Sequence, residues 1–399
     1  MATFSVRFLG CKVSHTDAVG IRDALAAGGH REIGSGGAAD VAVVNACCVT
    51  HAAVSKSRQA VSRAARTHRR VYVTGCAANL EGAPFAGLPE NVVVVARPSE
   101  ETPAAVAGDV GALGCSRDER RLERTRAFVK IQDGCSFSCA FCVVPLVRGG
   151  SRSRSAEAVL AEIRRRVRQG HREVVLTGIN LGLFRDRDAG WRLPRLIRAA
   201  AAVPGLARLR LSSIEVNHVD DELVSALVET PRVARHLHVP LQSGDDRVLR
   251  DMARRYTVET YLRKLAPLRD AVNLTTDAIV GFPSEDDAAF ERTLAAVDAA
   301  GITKVHVFPY SPRPGTRIGA EDSVPSAVKK ERGARLRARS DEACRRRWES
   351  KLGGEDLVLV DRPGRGYGDD YSPWLVDAPV GTLARVRAAA VTAEGIRAA

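Results

Sequence analysis

The chain has 399 residues, with 60 Lys and Arg against 47 Asp and Glu, for a formal net charge of +13 at pH 7. That length accommodates two or three domains with a large core, and the positive balance points to an anionic partner such as nucleic acid. The nine cysteines do not read as a secreted disulfide framework, no early segment reads as a signal peptide and no apolar run approaches a membrane span, so a cytoplasmic location is expected.

Residues 1–115 alternate strand and helix patterns. Short β-branched or apolar runs at Phe4 to Phe8, Val41 to Val44 and Val71 to Val73 predict parallel strands, with helices over Asp17 to Ala27 and Ala52 to Thr67. Each run is soon followed by a cysteine: Cys11, Cys47 and Cys76. In a parallel α/β sheet the loops at the strands' carboxyl ends line one crevice. Three cysteines far apart in sequence can therefore meet there and hold an iron–sulfur cluster with one open iron. Taken singly, each also reads as a small buried hydrophobe. Cys48 sits beside Cys47, and successive residues at a strand end point to opposite sides, so only one of the two is expected to face the crevice. The charged stretch Cys115 to Arg126 reads as a linker.

Residues 116–345 form the second predicted domain. Its strand candidates are Ala127 to Ile131, Glu173 to Leu176, Arg208 to Leu211, Leu237 to Pro240, Asn273 to Ile279 and Thr303 to Phe308. Helix-like stretches follow them. About six such units predict a partial (β/α) barrel with its chemistry at the strands' carboxyl ends. Just after the first strand comes a loop, Gly134 to Pro145, carrying Cys135, Cys139 and Cys142 in a C-x3-C-x2-C run. Three thiolates at this spacing can hold three irons of a 4Fe–4S cube and leave the fourth open. A cluster that only carries electrons would have four cysteines, and structural zinc prefers C-x2-C pairs in a closed set of four. An open iron is a reaction site for a small molecule that chelates through an amine and a carboxylate. Residues 346–399 change character again. Strand runs at Asp356 to Val360, Trp374 to Val376 and Thr382 to Val386, separated by Gly, Pro and Asp, predict a small antiparallel β-barrel.

The cysteine loop resembles the signature of the radical S-adenosylmethionine (SAM) enzymes. Together with Leu9-Gly-Cys-Lys-Val13, Asn45-x-Cys-x-Val-Thr50 and Thr74-Gly-Cys-Ala77, it is similar to the methylthiotransferase family. The likeness continues through Leu176-Thr-Gly-Ile-Asn180, Leu211-Ser-Ser-Ile-Glu215, His236 to Gly244, Arg254-Arg-Tyr256 and Asp277 to Pro283. The opening Leu-Gly-Cys-Lys-Val is most like the branch acting on N6-threonylcarbamoyladenosine in transfer RNA, although Ser14 stands where that branch usually has asparagine. The resemblance implies two 4Fe–4S clusters, one on Cys135, Cys139 and Cys142 that binds SAM, and an auxiliary one on Cys11, Cys47 and Cys76. Cys47 rather than Cys48 is chosen because its distance from Asn45 matches the family. It also implies a TRAM-like, RNA-binding C-terminal barrel, for which a structural cap is the plainer alternative.

The implied reaction places a methylthio group on C2 of the modified adenosine at position 37, beside the anticodon. That C–H bond is neither acidic nor attached to a leaving group, so the radical must come from the cofactor. The implied partners are the anticodon stem-loop of a tRNA, an electron donor and a sulfur source. Rival readings are the same chemistry on N6-isopentenyladenosine or on an aspartate of a ribosomal protein, and a non-catalytic iron–sulfur or zinc protein that binds RNA.

No catalytic side chain is assigned beyond the cluster ligands. Asn180, Ser213, Glu215 and Gln242, each polar and near a predicted strand end, are candidates for the SAM pocket, Glu215 for the ribose or amino group and Gln242 for the adenine. Capping and strand-tying explain such residues equally well in kind. Gly281 is expected to allow close backbone approach near the cofactor. Arg148 can meet a carboxylate or phosphate, or be solvated. His236 and His238, two apart on one strand, read as packing. Cys115 and Cys344 read as free thiols. The arginine runs Arg164 to Gln169 and Lys329 to Arg347 fit either solvated helix faces or phosphate contacts, while the overall imbalance favours a phosphate backbone. With only 5% aromatic residues, one base held in a pocket fits better than an extended stacking platform.

Overall fold

The computed structural model describes residues 2–34, 39–80, 84–110, 125–319 and 321–399. They fall into two compact units: one from residues 1–121, 133–151 and 313–320, the other from 122–132, 152–312 and 321–399. Cys115 and most of the expected linker lie outside the described residues. Its last member, Arg126, instead opens the strand Arg126–Lys130.

The first unit is built on a five-stranded sheet whose neighbouring strands all pair in parallel. Its central strand, Val41–Asn45, is buried at every position, as a strand covered on both faces must be. Phe8, Asn45 and Thr74 stand in register at the carboxyl ends of Thr3–Phe8, Val41–Asn45 and Arg70–Thr74. The first helix spans Lys12–Ala27, a turn earlier than the sequence predicts, because Val13, Asp17, Ala18, Ile21 and Leu25 continue one buried stripe. Cys11 thereby becomes its N-cap residue. The second helix, His51–Ala65, is capped by Thr50, whose side chain accepts from the Ala53 amide. Phe4, Ile21, Leu25, Val43, Tyr72 and Val106 fill one side of the sheet. Val44, Val61, Val73 and Phe85 fill the other, with Cys48 and Cys76 among them.

The second unit holds six parallel strands. Arg126–Lys130, Glu173–Thr177 and Arg208–Leu211 form one sheet; His236–His238, Asn273–Val280 and Ile302–Pro309 form the next. Parallel bridges Leu209 to Val233 and Ser213 to His238 join the two, so the strands run in chain order around a partial barrel. Helices follow, among them Ala156–Arg168, Leu193–Ala201, Asp221–Val228, Val258–Leu265 and Asp287–Ala299. Side-chain caps from Ser155, Asp220, Thr257 and Asp286 start four of them.

Beyond the long helix Ser326–Glu349 the chain closes a five-stranded barrel. It is not wholly antiparallel as expected, since Pro373–Leu375 pairs in parallel with Gly395–Ala398. Arg365–Tyr367 and Gly395–Ala398 are too short and too polar to stand out in the sequence. Three arginines fasten this barrel to the larger one. Arg208 donates to the Leu357 and Tyr367 carbonyls, Arg210 to those of Gly368 and Asp369, and Arg126 pairs with Asp361. Among them Glu173, wholly buried, accepts from Arg208 and Arg210.

Candidate active site

In the first unit the fold brings three predicted cysteines to neighbouring strand ends. Cys11 follows Thr3–Phe8, Cys47 follows Val41–Asn45 and Cys76 follows Arg70–Thr74. Cys11 is exposed, while Cys47 and Cys76 are each 9% accessible. Glycines make this approach possible. A Cβ on Gly10 (φ +130°) would lie 3.4 Å from Cys47 Sγ, and one on Gly75 (φ +83°) would lie 2.6 Å from Asn45 Oδ1. Burial pushes the Cys47 thiol up, and the nearby Cys76 and Cys11 sulfurs push it the same way. Cys48 is fully buried in the apolar core and shares a hydrogen bond with Cys76. That bond, with the Arg148 guanidinium, lowers the Cys76 thiol's pKa against the cost of burial. Asn45 Oδ1 and Thr74 Oγ1 are buried here without a hydrogen-bond partner among the described residues.

The second cysteine set lies in the same unit. Cys135, Cys139 and Cys142 are all partly accessible. Their loop is pinned by Cys135 N donating to Gly149 O at 3.0 Å, Cys142 N to Cys139 O at 3.1 Å and Ser151 N to Ser136 Oγ at 3.0 Å. Gly134 (φ +66°) passes so close to the returning chain that a Cβ there would lie 2.1 Å from Gly150 O. The loop leads into the short helix Val144–Arg148, whose Val147 joins Val143 against Cys48, Cys76 and Ala77. Among the described residues no three Cys, His, Asp or Glu side chains close around a single ion. A closed zinc set requires that convergence, with sulfurs about 2.3 Å from one metal. Thiolates that each bind a different iron of a cube do not.

Arg148 is the residue whose role the sequence leaves open and the structure defines. Its guanidinium is buried and held by side chains of the protein. Nε donates to Cys76 Sγ at 3.0 Å, Nη1 to Asp133 Oδ1 at 2.9 Å and Nη2 to Asp17 Oδ2 at 2.8 Å. These partners raise its pKa well above the ordinary arginine value although burial opposes them. Ser99 also donates to Asp133, at 2.5 Å. Sequence reasoning missed Asp17 and Asp133. The available signal was an aspartate and an arginine bracketing a cysteine loop.

In the second unit the polar candidates stand at the barrel's strand ends. Asn180 is 3% exposed, and neither its Oδ1 nor its Nδ2 has a hydrogen-bond partner among the described residues. Thr177 Oγ1 and Ser212 Oγ are buried in the same state. Such groups are costly to bury unless something else satisfies them. The Asn180 backbone N–H donates to Gln132 Oε1 at 2.9 Å. Glu215 is gripped by Arg254, which also donates to Tyr256 Oη at 3.2 Å. Gln242 adopts a left-handed backbone (φ +67°) while bridging to Asp277 and Ile279, a strained conformation for a residue with a Cβ. His236 and His238 share Thr275 Oγ1 at 3.0 Å each, and His238 Nε2 lies 3.2 Å from Asp277 Oδ1. Gly281 does admit a close approach, that of Lys329, whose Cγ would lie 2.4 Å from an added Cβ. Cys344 donates to the Thr303 carbonyl.

The Lys329 to Arg347 run is largely occupied. Lys329 pairs with Asp322, Arg332 with Glu285 and Asp287, Arg335 with Glu291, Arg339 with Asp298 and Arg347 with Asp370. Much of this helix therefore docks on its neighbours. In Arg164 to Gln169, Arg165 and Arg166 share Glu162.

Two family models match: the Radical SAM superfamily over residues 129–297 and the Uncharacterized protein family UPF0004 over residues 3–96. The threonylcarbamoyladenosine tRNA methylthiotransferase MtaB of Thermotoga maritima is 33% identical, covering 99% of this chain and 96% of that protein. The chain belongs to the radical SAM methylthiotransferase family. The Bacillus subtilis MtaB is 34% identical over 90% of this chain and 85% of its own. A tRNA-2-methylthio-N(6)-dimethylallyladenosine synthase of Sorangium cellulosum is 36% identical, covering 92% and 84%. Among solved structures, the radical S-adenosylmethionine methyltransferase TsrM of Kitasatospora setae, with cobalamin and a 4Fe–4S cluster bound, superposes with a TM-score of 0.58. It is 15% identical and covers 79% of this chain and 76% of its own, a likeness of fold alone. Two groups of three cysteines carry the thiolate chemistry that 4Fe–4S clusters take, and Asn180, Thr177 and Ser212 keep buried polar atoms without partners among the described residues. No helix among the described residues is long and apolar enough to cross a membrane.

Proposed function

We propose that this protein converts N6-threonylcarbamoyladenosine, next to the anticodon of a tRNA, to its 2-methylthio derivative. In this reading Cys135, Cys139 and Cys142 hold the SAM-binding cluster, and Cys11, Cys47 and Cys76 hold the auxiliary one. When bound, SAM and the two clusters supply radical and sulfur-transfer chemistry that acids and bases alone cannot direct at an aromatic C–H bond. Asn180 offers its unpartnered carboxamide to SAM. Glu215 presents a carboxylate fixed by Arg254, Ser213 offers a hydroxyl, and Gln242 places its side chain from a strained backbone. The division of labour follows residues 1–115 for the auxiliary centre, 116–345 for the radical barrel and 346–399 for a TRAM-like barrel that contacts the anticodon stem-loop. An electron donor and a sulfur source complete the partners, and the cytoplasm is the proposed setting.

The observation that carries the substrate assignment is the alignment with MtaB proteins over almost the whole chain. A second reading, with N6-dimethylallyladenosine as substrate, is favoured by the 36% and 35% identity to enzymes of that name. Mass spectrometry of tRNA nucleosides from a deletion strain separates the two. Loss of 2-methylthio-N6-threonylcarbamoyladenosine, restored by the wild-type gene, is the expected result. Loss of the dimethylallyl product alone establishes the second reading, and an unchanged nucleoside profile removes both.

A further inference from the structure

Arg148 is a buried cation that donates directly to the sulfur of a proposed cluster ligand, Nε to Cys76 Sγ at 3.0 Å. Its side chain is 5% exposed, and the two carboxylates that hold it, Asp17 and Asp133, are 4% and 9% exposed. The three contacts use three edges of one planar guanidinium, so the direction of the Nε–H bond is fixed by the two carboxylates on the far side. Asp17 comes from the helix that follows Cys11, and Asp133 immediately precedes the Cys135 loop. The donor is therefore oriented by segments attached to both cysteine sets. A lysine would carry the same charge as a point donor and could not keep this three-way geometry.

We propose that Arg148 is a positioning residue for the auxiliary cluster, its Nε–H donating to the Cys76 sulfur to orient that ligand and raise the cluster's reduction potential. The inference rests on the proposed ligation of that cluster by Cys11, Cys47 and Cys76. Its physical basis is that a hydrogen bond donated to a ligating sulfur favours the more reduced, more negative cluster. Because the group is buried, salt screens it little. A purely structural role, in which Arg148 only ties three chain segments together, predicts no such effect on potential.

The test uses the full-length chain carrying Cys135→Ala, Cys139→Ala and Cys142→Ala, so that the auxiliary centre is read alone after anaerobic reconstitution. Iron is counted first, then the potential is measured by titration followed with electron paramagnetic resonance. Arg148→Met is expected to retain iron and shift the potential downward, with Arg148→Lys in between. As a measurement that needs no folded variant, the parent protein is labelled with guanidino-15N arginine. The reduced cluster should then show 15N hyperfine coupling by electron–nuclear double resonance, lost in Arg148→Lys. Arg313, whose charge lies near Cys47 and Cys48, is the other possible source and serves as the control. An unchanged potential in iron-loaded Arg148→Met, absence of coupling in the labelled parent, or coupling lost with Arg313→Lys instead, overturns the proposal. A parent that binds no iron at all overturns the auxiliary-cluster reading itself, and this inference with it.

Discussion

Replacing Glu173 with glutamine removes the carboxylate shared by Arg208, Arg210 and Arg126, which stand at hydrogen-bond distance, 3.2 Å and 3.9 Å from its oxygens. Burial would raise the Glu173 carboxyl, but Arg210 and Arg208, with Arg126, outweigh it and hold the group at about 2. The substitution leaves the buried Arg208 and Arg210 guanidinium groups with carbonyl acceptors and with Tyr371, whose ring centroid lies 4.6 Å from the Arg210 carbon, but takes away the carboxylate that both are paired with. Deleting one partner of a buried ion pair costs about 3–5 kcal/mol. At about 2–4 °C per kcal/mol for a body of this size, the melting temperature should fall by roughly 6–20 °C at neutral pH. The pH dependence has a definite sign. A carboxyl depressed from 4.5 to about 2 contributes stability above its unfolded value, and that contribution is lost as pH falls from about 4.5 toward 2. Circular-dichroism melts from pH 3 to pH 7 should therefore show the gap between wild type and Glu173→Gln closing on acidification. An unchanged melting temperature at pH 7, or a gap that persists undiminished at pH 3, refutes the reasoning.

Gly134→Ala places a methyl group against the Gly150 carbonyl at a left-handed backbone position, so the purified variant should lose about four irons per chain, the content of one cube, while keeping the auxiliary absorption. Iron analysis with visible spectroscopy checks this; a full complement of iron would contradict it. Asn180→Ala should weaken SAM binding about tenfold, the cost of roughly one hydrogen bond, without lowering the melting temperature, because its side chain has no partner to lose among the described residues. Calorimetry and a thermal melt on the same sample decide it, and a destabilised protein with unchanged SAM affinity would make Asn180 structural. Raising salt should weaken tRNA binding steeply and SAM binding little, since only the former releases counterions from a phosphate backbone. Equal salt sensitivity in filter-binding and SAM-binding assays would count against the nucleic-acid reading.

The layered α/β pattern was legible because parallel strands buried on both faces, such as Val41–Asn45, read as continuous β-branched runs. The same holds for Asn273–Val280 and the order of the barrel strands. What escaped was the work of charged residues. The Lys329 to Arg347 run looks like a free basic face, yet Arg332 and Arg339 are committed to Glu285 and Asp298, tens of residues away. Arg148, with Asp17 and Asp133, is another such case: long-range ion pairs have no local periodicity to betray them. Gly281 was legible as a close approach but not as an approach to Lys329, since glycine marks that something comes near and not what. The parallel pair in the C-terminal barrel was hidden for a related reason. Gly395–Ala398 is short, and its partner is set by closure of the barrel.

If the two cysteine sets have separate tasks, one assay of SAM cleavage and product separates them. Reconstituted protein is incubated anaerobically with SAM, a reductant and an anticodon stem-loop bearing N6-threonylcarbamoyladenosine. With Cys11, Cys47 and Cys76 changed to Ala, 5′-deoxyadenosine should still form while no methylthio nucleoside appears; with Cys135, Cys139 and Cys142 changed, neither should form. Methylthio product from the first variant, or 5′-deoxyadenosine from the second, would contradict the division.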